Sequence, residues 1–130
     1  MDTLLVIDDN TSLCEMLKLQ LEEPEGDRPA FQVETAGSLA EARARLARTQ
    51  PAIVLCDMRL PDGDGIDHLP EIKRLAGDAP IVIMTAHADM ETTIRAMKHG
   101  AFDYLQKPFD QDVVELVVLR ALDLRRQSRR

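Results

Sequence analysis

Ala52-Ile53-Val54-Leu55-Cys56-Asp57 is the stretch that decides the fold. Five apolar residues in succession leave no polar face, so a strand made from them is covered on both sides. That is the condition of a central strand in a parallel sheet. A carboxylate, Asp57, stands where such a strand leaves the core. Pro51 punctuates the chain before it, and Leu60-Pro61-Asp62-Gly63-Asp64-Gly65 after it is turn chemistry.

The same alternation repeats on either side. Residues 3–7, with Leu4, Leu5, Val6 and Ile7, form a first short strand ending in Asp8 and Asp9. Ser12 and Glu15 have the spacing of a capping box, and Leu13, Met16, Leu17 and Leu21 then share one helical face. Residues 22–29, with two prolines and a glycine, read as loop. A second strand follows at 31–35. Ser38 and Glu41 cap a helix whose inner face is Leu39, Ala42 and Leu46. Ile66, Leu69, Ile72 and Leu75 mark a third helix, whose start Pro70 must redefine or interrupt. Residues 81–84 and 102–105 are the fourth and fifth strands. Between them Asp89 caps a helix carrying Met90, Ile94 and Met97 that stops at Gly100, and Asp110 caps the last helix. Five strand-helix units in series predict an α/β domain with a doubly wound, five-stranded parallel sheet and helices on both faces.

Composition sets outer limits. The 130 residues suffice for one core, assigned here to residues 1–124, with 125–130 beginning a linker or helix extension. A net charge of −7 argues against direct nucleic-acid contact by this domain, since a phosphate backbone needs a basic surface. The arginines at 120, 125, 126, 129 and 130 crowd the C-terminal end, where cations suit a helix terminus. No segment has the length and apolarity of a membrane span or the pattern of a signal peptide. Cys14 and Cys56 lack metal-site spacing and sit in apolar patterns, which predicts reduced core thiols and a cytoplasmic protein.

In doubly wound sheets ligands bind beyond the carboxyl ends of the strands. Those ends here are Asp8 and Asp9, Asp57, Thr85 and Ala86, and Lys107. Each has an ordinary reading alone: acids cap helices, glycine-rich loops carry aspartate, and exposed lysines are common. Together they form a set of carboxylates that is costly unless a cation neutralises it. An oxygen-only donor set suits a hard ion such as Mg2+. A carboxylate, a hard cation, a lysine and a hydroxyl are the parts needed to accept a phosphoryl group.

The chain resembles response-regulator receiver domains over essentially its whole length. The matching pieces are Val6-Ile7-Asp8-Asp9-Asn10, Val54-Leu55-Cys56-Asp57-Met58, the 60–65 loop, Ile83-Met84-Thr85-Ala86 and Lys107-Pro108-Phe109. The resemblance implies a CheY-like sheet of order 2-1-3-4-5 and phosphorylation of Asp57 by a sensor histidine kinase. It further implies Mg2+ held by Asp9, Asp57 and the Arg59 carbonyl, with Asp8 acting through water. Lys107 would contact the phosphoryl group across a cis Lys107-Pro108 bond, and Thr85 with Tyr104 would form the switch. Such a domain catalyses only its own phosphorylation and dephosphorylation. The segment from Ala86-His87-Ala88-Asp89 through Gly100-Ala101-Phe102-Asp103-Tyr104-Leu105 to Lys107-Pro108-Phe109-Asp110 is similar to receivers of the NtrC-type class. Those usually precede an AAA+ ATPase and a DNA-binding domain that control transcription. A stand-alone phosphorelay receiver, or one with another output, is the alternative. The resemblance to the receiver family also implies that Arg59 and His87 occupy positions that tune dephosphorylation.

Two rivals share parts of the pattern. A flavodoxin-like electron carrier would need a Ser/Thr/Gly-rich phosphate loop where Asp8-Asp9-Asn10 would repel the flavin phosphate. A phosphohydrolase with an aspartate nucleophile would place its second acid two positions on and would need room for substrate. The last helix raises a separate expectation. Val113, Val114, Leu116, Val117, Val118, Leu119, Ala121, Leu122 and Leu124 exceed one buried stripe, which predicts an apolar strip shared in a homodimer.

Overall fold

The computed structural model describes residues 1–87 and 89–128, so Ala88 and the last two arginines of the expected linker lie outside the described residues. Five strands, β1 (Thr3–Ile7), β2 (Gln32–Ala36), β3 (Ile53–Asp57), β4 (Ile81–Thr85) and β5 (Asp103–Gln106), pair in parallel in the order β2-β1-β3-β4-β5. The fold class and strand order are those expected from the sequence. β2, β3 and β5 each begin one residue later than the apolar pattern suggested, and β4 runs one residue further, to Thr85.

Alternate strand residues feed two cores. Leu4, Val6, Ile53, Leu55, Val82 and Met84 point to the face covered by α1 (Thr11–Leu21) and α5 (Gln111–Ser128). Leu5, Ile7, Val54, Cys56, Ile81 and Ile83 point to the other face, under α2 (Leu39–Leu46), α3 (Leu69–Ala76) and α4 (Met90–Lys98). β3 is buried at every residue, as the unbroken apolar run requires.

Local signals held in most places. The Ser38 side chain accepts from the Glu41 amide at 3.1 Å, and Glu41 reaches back to the Gly37 amide at 2.6 Å. Asp89 and Asp110 cap α4 and α5. Pro70 falls in the first turn of α3, where its missing N–H costs nothing. The reading of α1 needs correction. Its cap is Asn10, whose side chain accepts from the Leu13 amide at 3.1 Å, and not Ser12 with Glu15. Starting the helix at Thr11 buries Cys14, Leu17 and Leu21, with Leu13 partly covered and Met16 exposed. The 59–64 segment is also more ordered than a plain turn, since Arg59–Leu60 and Gly63–Asp64 pair as a small antiparallel hairpin.

The 22–29 loop holds the least expected residue of the fold. Arg28 is 2% exposed. Its Nη1 and Nη2 donate to the carbonyls of Pro29 and Glu23, both at 2.7 Å. Its Nε and Nη2 grip both carboxylate oxygens of Glu115 on α5, at 2.5 and 3.1 Å. Gln20 of α1 donates to the same carboxylate at 2.9 Å, and the guanidinium stacks 5.8 Å from the Phe31 ring centre. A buried charge is stable only when its partner is present. Glu115→Ala is therefore expected to cost roughly 3 kcal/mol in urea unfolding, and Arg28→Met/Glu115→Leu should cost less than the two single changes added. Equal stability of Glu115→Ala and wild type would show that the pair does not hold α5.

Candidate functional site

Sheet register brings the site together. Ile7 lies opposite Cys56, which sets Asp8 beside Asp57, and Asp57 lies opposite Met84, which sets Thr85 at the next position of β4. Thr85 pairs in turn with Gln106, directly before Lys107. Four of the residues singled out in the sequence converge. Asp8, Asp9 and Asp57 each bring a carboxylate oxygen within 4.8 Å of the others. The Lys107 ammonium donates to Asp8 Oδ2 at 2.7 Å and lies 3.3 Å from Asp57 Oδ1. The second Asp8 oxygen accepts from the Asn10 amide at 2.9 Å, so both oxygens of this buried carboxylate have a partner, whereas Asp9 is exposed.

The electrostatics follow from crowding. Burial and the neighbouring Asp8 charge push the Asp57 carboxyl above its ordinary range, against the pull of Lys107 and the Arg59 amide. Burial disfavours the Lys107 charge, but hydrogen bonds and attraction from Asp8 and Asp57 outweigh it and hold the ammonium above its usual value. Burial, reinforced by Asp8, raises Cys14 to about 11, and burial raises Cys56 further still. Both cysteines are free and buried, as expected of core thiols.

Thr85 stands one place beyond Met84, the partner of Asp57, and Tyr104 pairs with Ile83 one strand further out. The Thr85 hydroxyl accepts from the His87 amide at 3.0 Å, donates to the His87 carbonyl at 3.1 Å, and lies 3.7 Å from the Met58 sulfur. Tyr104 is half-buried and packs against the α2–α3–α4 core. The Arg59 side chain is exposed and its backbone belongs to the hairpin. The Lys107-Pro108 bond is cis. Asp57, Met58, Arg59, Ala86, His87 and Lys107 line an open cleft of 200 Å³.

One contributor escaped the sequence reading, which saw Gly65 as turn chemistry alone. Its amide donates to the Met58 carbonyl at 2.7 Å, and a side chain there would run into the Asp57 carbonyl. Only glycine lets this loop lie so close to the backbone of the acid. The doubled Asp-Gly of the loop was the available signal.

Comparison with known proteins agrees with this geometry. Residues 4–118 match the response regulator receiver domain family. The chain is 36% identical over 121 residues to the regulatory protein AtoC of Escherichia coli and 37% identical over 121 residues to the response regulator protein PilR of Pseudomonas aeruginosa. Both alignments cover 93% of this chain, which spans about a quarter of the length of these curated relatives (25% and 26%). Among solved structures, the beryllofluoride-activated NtrC4 receiver domain dimer superposes with a TM-score of 0.85 at 31% identity, covering 96% of this chain and 99% of that one. NtrX from Brucella abortus superposes with a TM-score of 0.86 at 31% identity, covering 98% of this chain and 29% of that one. The NtrC-type resemblance read from the sequence is thus met in its relatives, and the chain belongs to the response-regulator receiver domain family.

Proposed function

We propose that this receiver domain accepts a phosphoryl group on Asp57 from a phosphohistidine of a sensor kinase, and that the resulting acyl phosphate controls an output. The observation that carries the reading is Lys107, placed between Asp8 and Asp57 with Asp9 alongside. An Asp57 oxygen forms the new bond to phosphorus while the bond from phosphorus to the histidine nitrogen breaks, and the imidazole leaves with that electron pair. Lys107 faces the charge that gathers on the transferred oxygens. Water later hydrolyses the acyl phosphate, so the domain catalyses only its own phosphorylation and dephosphorylation, and Arg59 and His87 border the cleft where that water enters.

The donor set fits a hard divalent cation, because the clustered acids offer only oxygen and three carboxylates outnumber the one lysine. Asp9, Asp57 and the Arg59 carbonyl would hold Mg2+, with Asp8 behind them. The ion would supply positive charge to the equatorial phosphoryl oxygens. Thr85 and Tyr104 are the proposed switch. Turning the Thr85 hydroxyl toward a phosphoryl oxygen breaks its two hydrogen bonds to His87, which loosens the loop before α4 and opens room for Tyr104 to turn inward.

The wider setting rests on the relatives. Their greater length and names such as transcriptional regulatory protein ZraR support an output in transcription, through ATPase and DNA-binding regions of the NtrC type. We place the receiver at 1–124 and the start of the linker at 125–130. No helix among the described residues is long and apolar enough to cross a membrane, and a cytoplasmic setting fits a kinase-fed switch. On α5, Val113, Leu116, Leu119 and Leu124 are exposed, which supports a homodimer.

Acetyl phosphate with Mg2+ should add one phosphoryl group to the chain, visible as a mass shift that Asp57→Asn abolishes and Asp9→Ala reduces by about tenfold or more. Undiminished labelling of Asp57→Asn would place the acceptor elsewhere. Sedimentation should show a dimer with the phosphoryl mimic beryllofluoride, weakened by Leu116→Glu. A monomer with and without the mimic, at on the order of tens of micromolar, would mean that the exposed α5 residues serve no self-association.

A further inference from the structure

α4 is the most lightly held helix of the domain. It buries one residue, Ala96, where α1, α2 and α3 each bury three. Among the described residues, the hydrogen bonds that join an α4 side chain to another segment all come from Arg95. Its Nη2 donates to Asp64 Oδ2 at 3.0 Å and to Asp67 Oδ1 at 3.3 Å. Its Nε is buried without an acceptor.

Asp64 is not a free surface acid. Its other oxygen accepts from the Ile66 and Asp67 amides at 2.7 and 3.1 Å, and its carbonyl accepts from the His68 amide at 3.2 Å. These contacts fix the turn that contains Gly65. Gly65 in turn grips the Met58 carbonyl and lies against the Asp57 carbonyl. Asp64 also pairs across the hairpin with Arg59. A continuous run of contacts therefore leads from the side of α4 to the backbone of residues 57–59.

We propose that Arg95 and Asp64 are a positioning pair for phosphorylation: the ion pair sets the backbone of the acceptor loop according to where α4 sits. This rests on the reading of Asp57 as the acceptor. It is a route distinct from Thr85 and Tyr104, which approach the site from β4 and β5. Linkage makes it reciprocal, so that whatever α4 contributes to the acidic site, a cation or phosphoryl group at that site returns to α4. A half-exposed pair adds little to overall stability; its effect lies in geometry.

The test uses the full chain with Arg95→Gln, Asp64→Asn and the double variant. Asparagine keeps an oxygen for the Ile66 and Asp67 amides while losing the charge. Mg2+ affinity is read from amide shifts of residues 57–59, and phosphorylation by acetyl phosphate is timed by mass spectrometry. Arg95→Gln should weaken Mg2+ binding and slow phosphorylation by about two- to fivefold at low salt, and the loss should shrink as added salt screens the pair. The double variant should be no worse than either single one, and Arg95→Lys should recover most of the affinity. Wild-type Mg2+ affinity in Arg95→Gln, with or without a lower melting temperature, would overturn the proposal, as would strictly additive losses in the double variant. A wild-type chain that takes no phosphoryl group at Asp57 would instead defeat the functional reading, and the Mg2+ titration would still judge the pair.

Discussion

Three carboxylates crowd the carboxyl edge of this sheet with a single lysine among them, and much of the structure is arranged around that repulsion. Asp8 has no exposed side-chain surface, and Asp57 is pushed toward its neutral form by burial and by Asp8. The compensating ammonium comes from Lys107, 99 residues away from Asp8 in the chain. β1, β3, β4 and β5 must all pair in register before the charges can balance. The site is therefore a property of the completed sheet and not of any local segment. The remaining negative charge is what a hard cation would bind, and neutralising it would let an anionic phosphoryl group approach.

The helices around that edge are held unequally. α5 buries Val114, Val117, Val118, Ala121 and Leu122 and is locked to the 22–29 loop by the Arg28–Glu115 pair. α4 buries Ala96 alone and leaves Met90, Ile94 and Met97 exposed. A change at the acidic edge meets least resistance at α4, because few buried contacts oppose its movement. The firm α5 is suited to carrying a fixed surface, the loosely packed α4 to changing one. The contacts of Thr85 with His87 and of Arg95 with Asp64 both end on or beside α4.

The sequence made the architecture legible because its signals are short-ranged. The unbroken run before Asp57, the caps at Ser38, Asp89 and Asp110, and the acids at strand ends each need only a few neighbouring residues to be read. What escaped depends on distant partners. Arg28 sits in a polar, proline-bearing loop whose composition says exposure, and Glu115, 87 residues on, supplies the charge that balances it in the core. Asn10 and Ser12 both suit a cap, and the choice between them turns on where β1 releases the chain. Met16 fits the helical period but faces outward once the helix starts at Thr11. Arg95 announces nothing by type, since its role comes from the side chain of Asp64, and the Asp-Gly repeat marks Gly65 as turn chemistry without showing the backbone of Asp57 beneath it. Within the candidate site, Asp8, Asp9, Asp57 and Lys107 were placed by the strand-end rule, whereas the grip of His87 on Thr85 was visible only in three dimensions.

Unfolding of the wild type and Asp57→Asn by urea, in metal-free buffer and with Mg2+, measures the central repulsion directly. Because the fold raises the Asp57 carboxyl above its unfolded value, its charge opposes folding at neutral pH, and this cost fades as pH falls through the carboxylate range. Asp57→Asn is expected to be the more stable protein at neutral pH without metal. The gap should close in acid, and it should also narrow with Mg2+, which stabilises the wild type by binding its folded form. An Asp57→Asn variant no more stable than wild type at neutral pH, or an equal gain from Mg2+ in both proteins, would contradict this expectation.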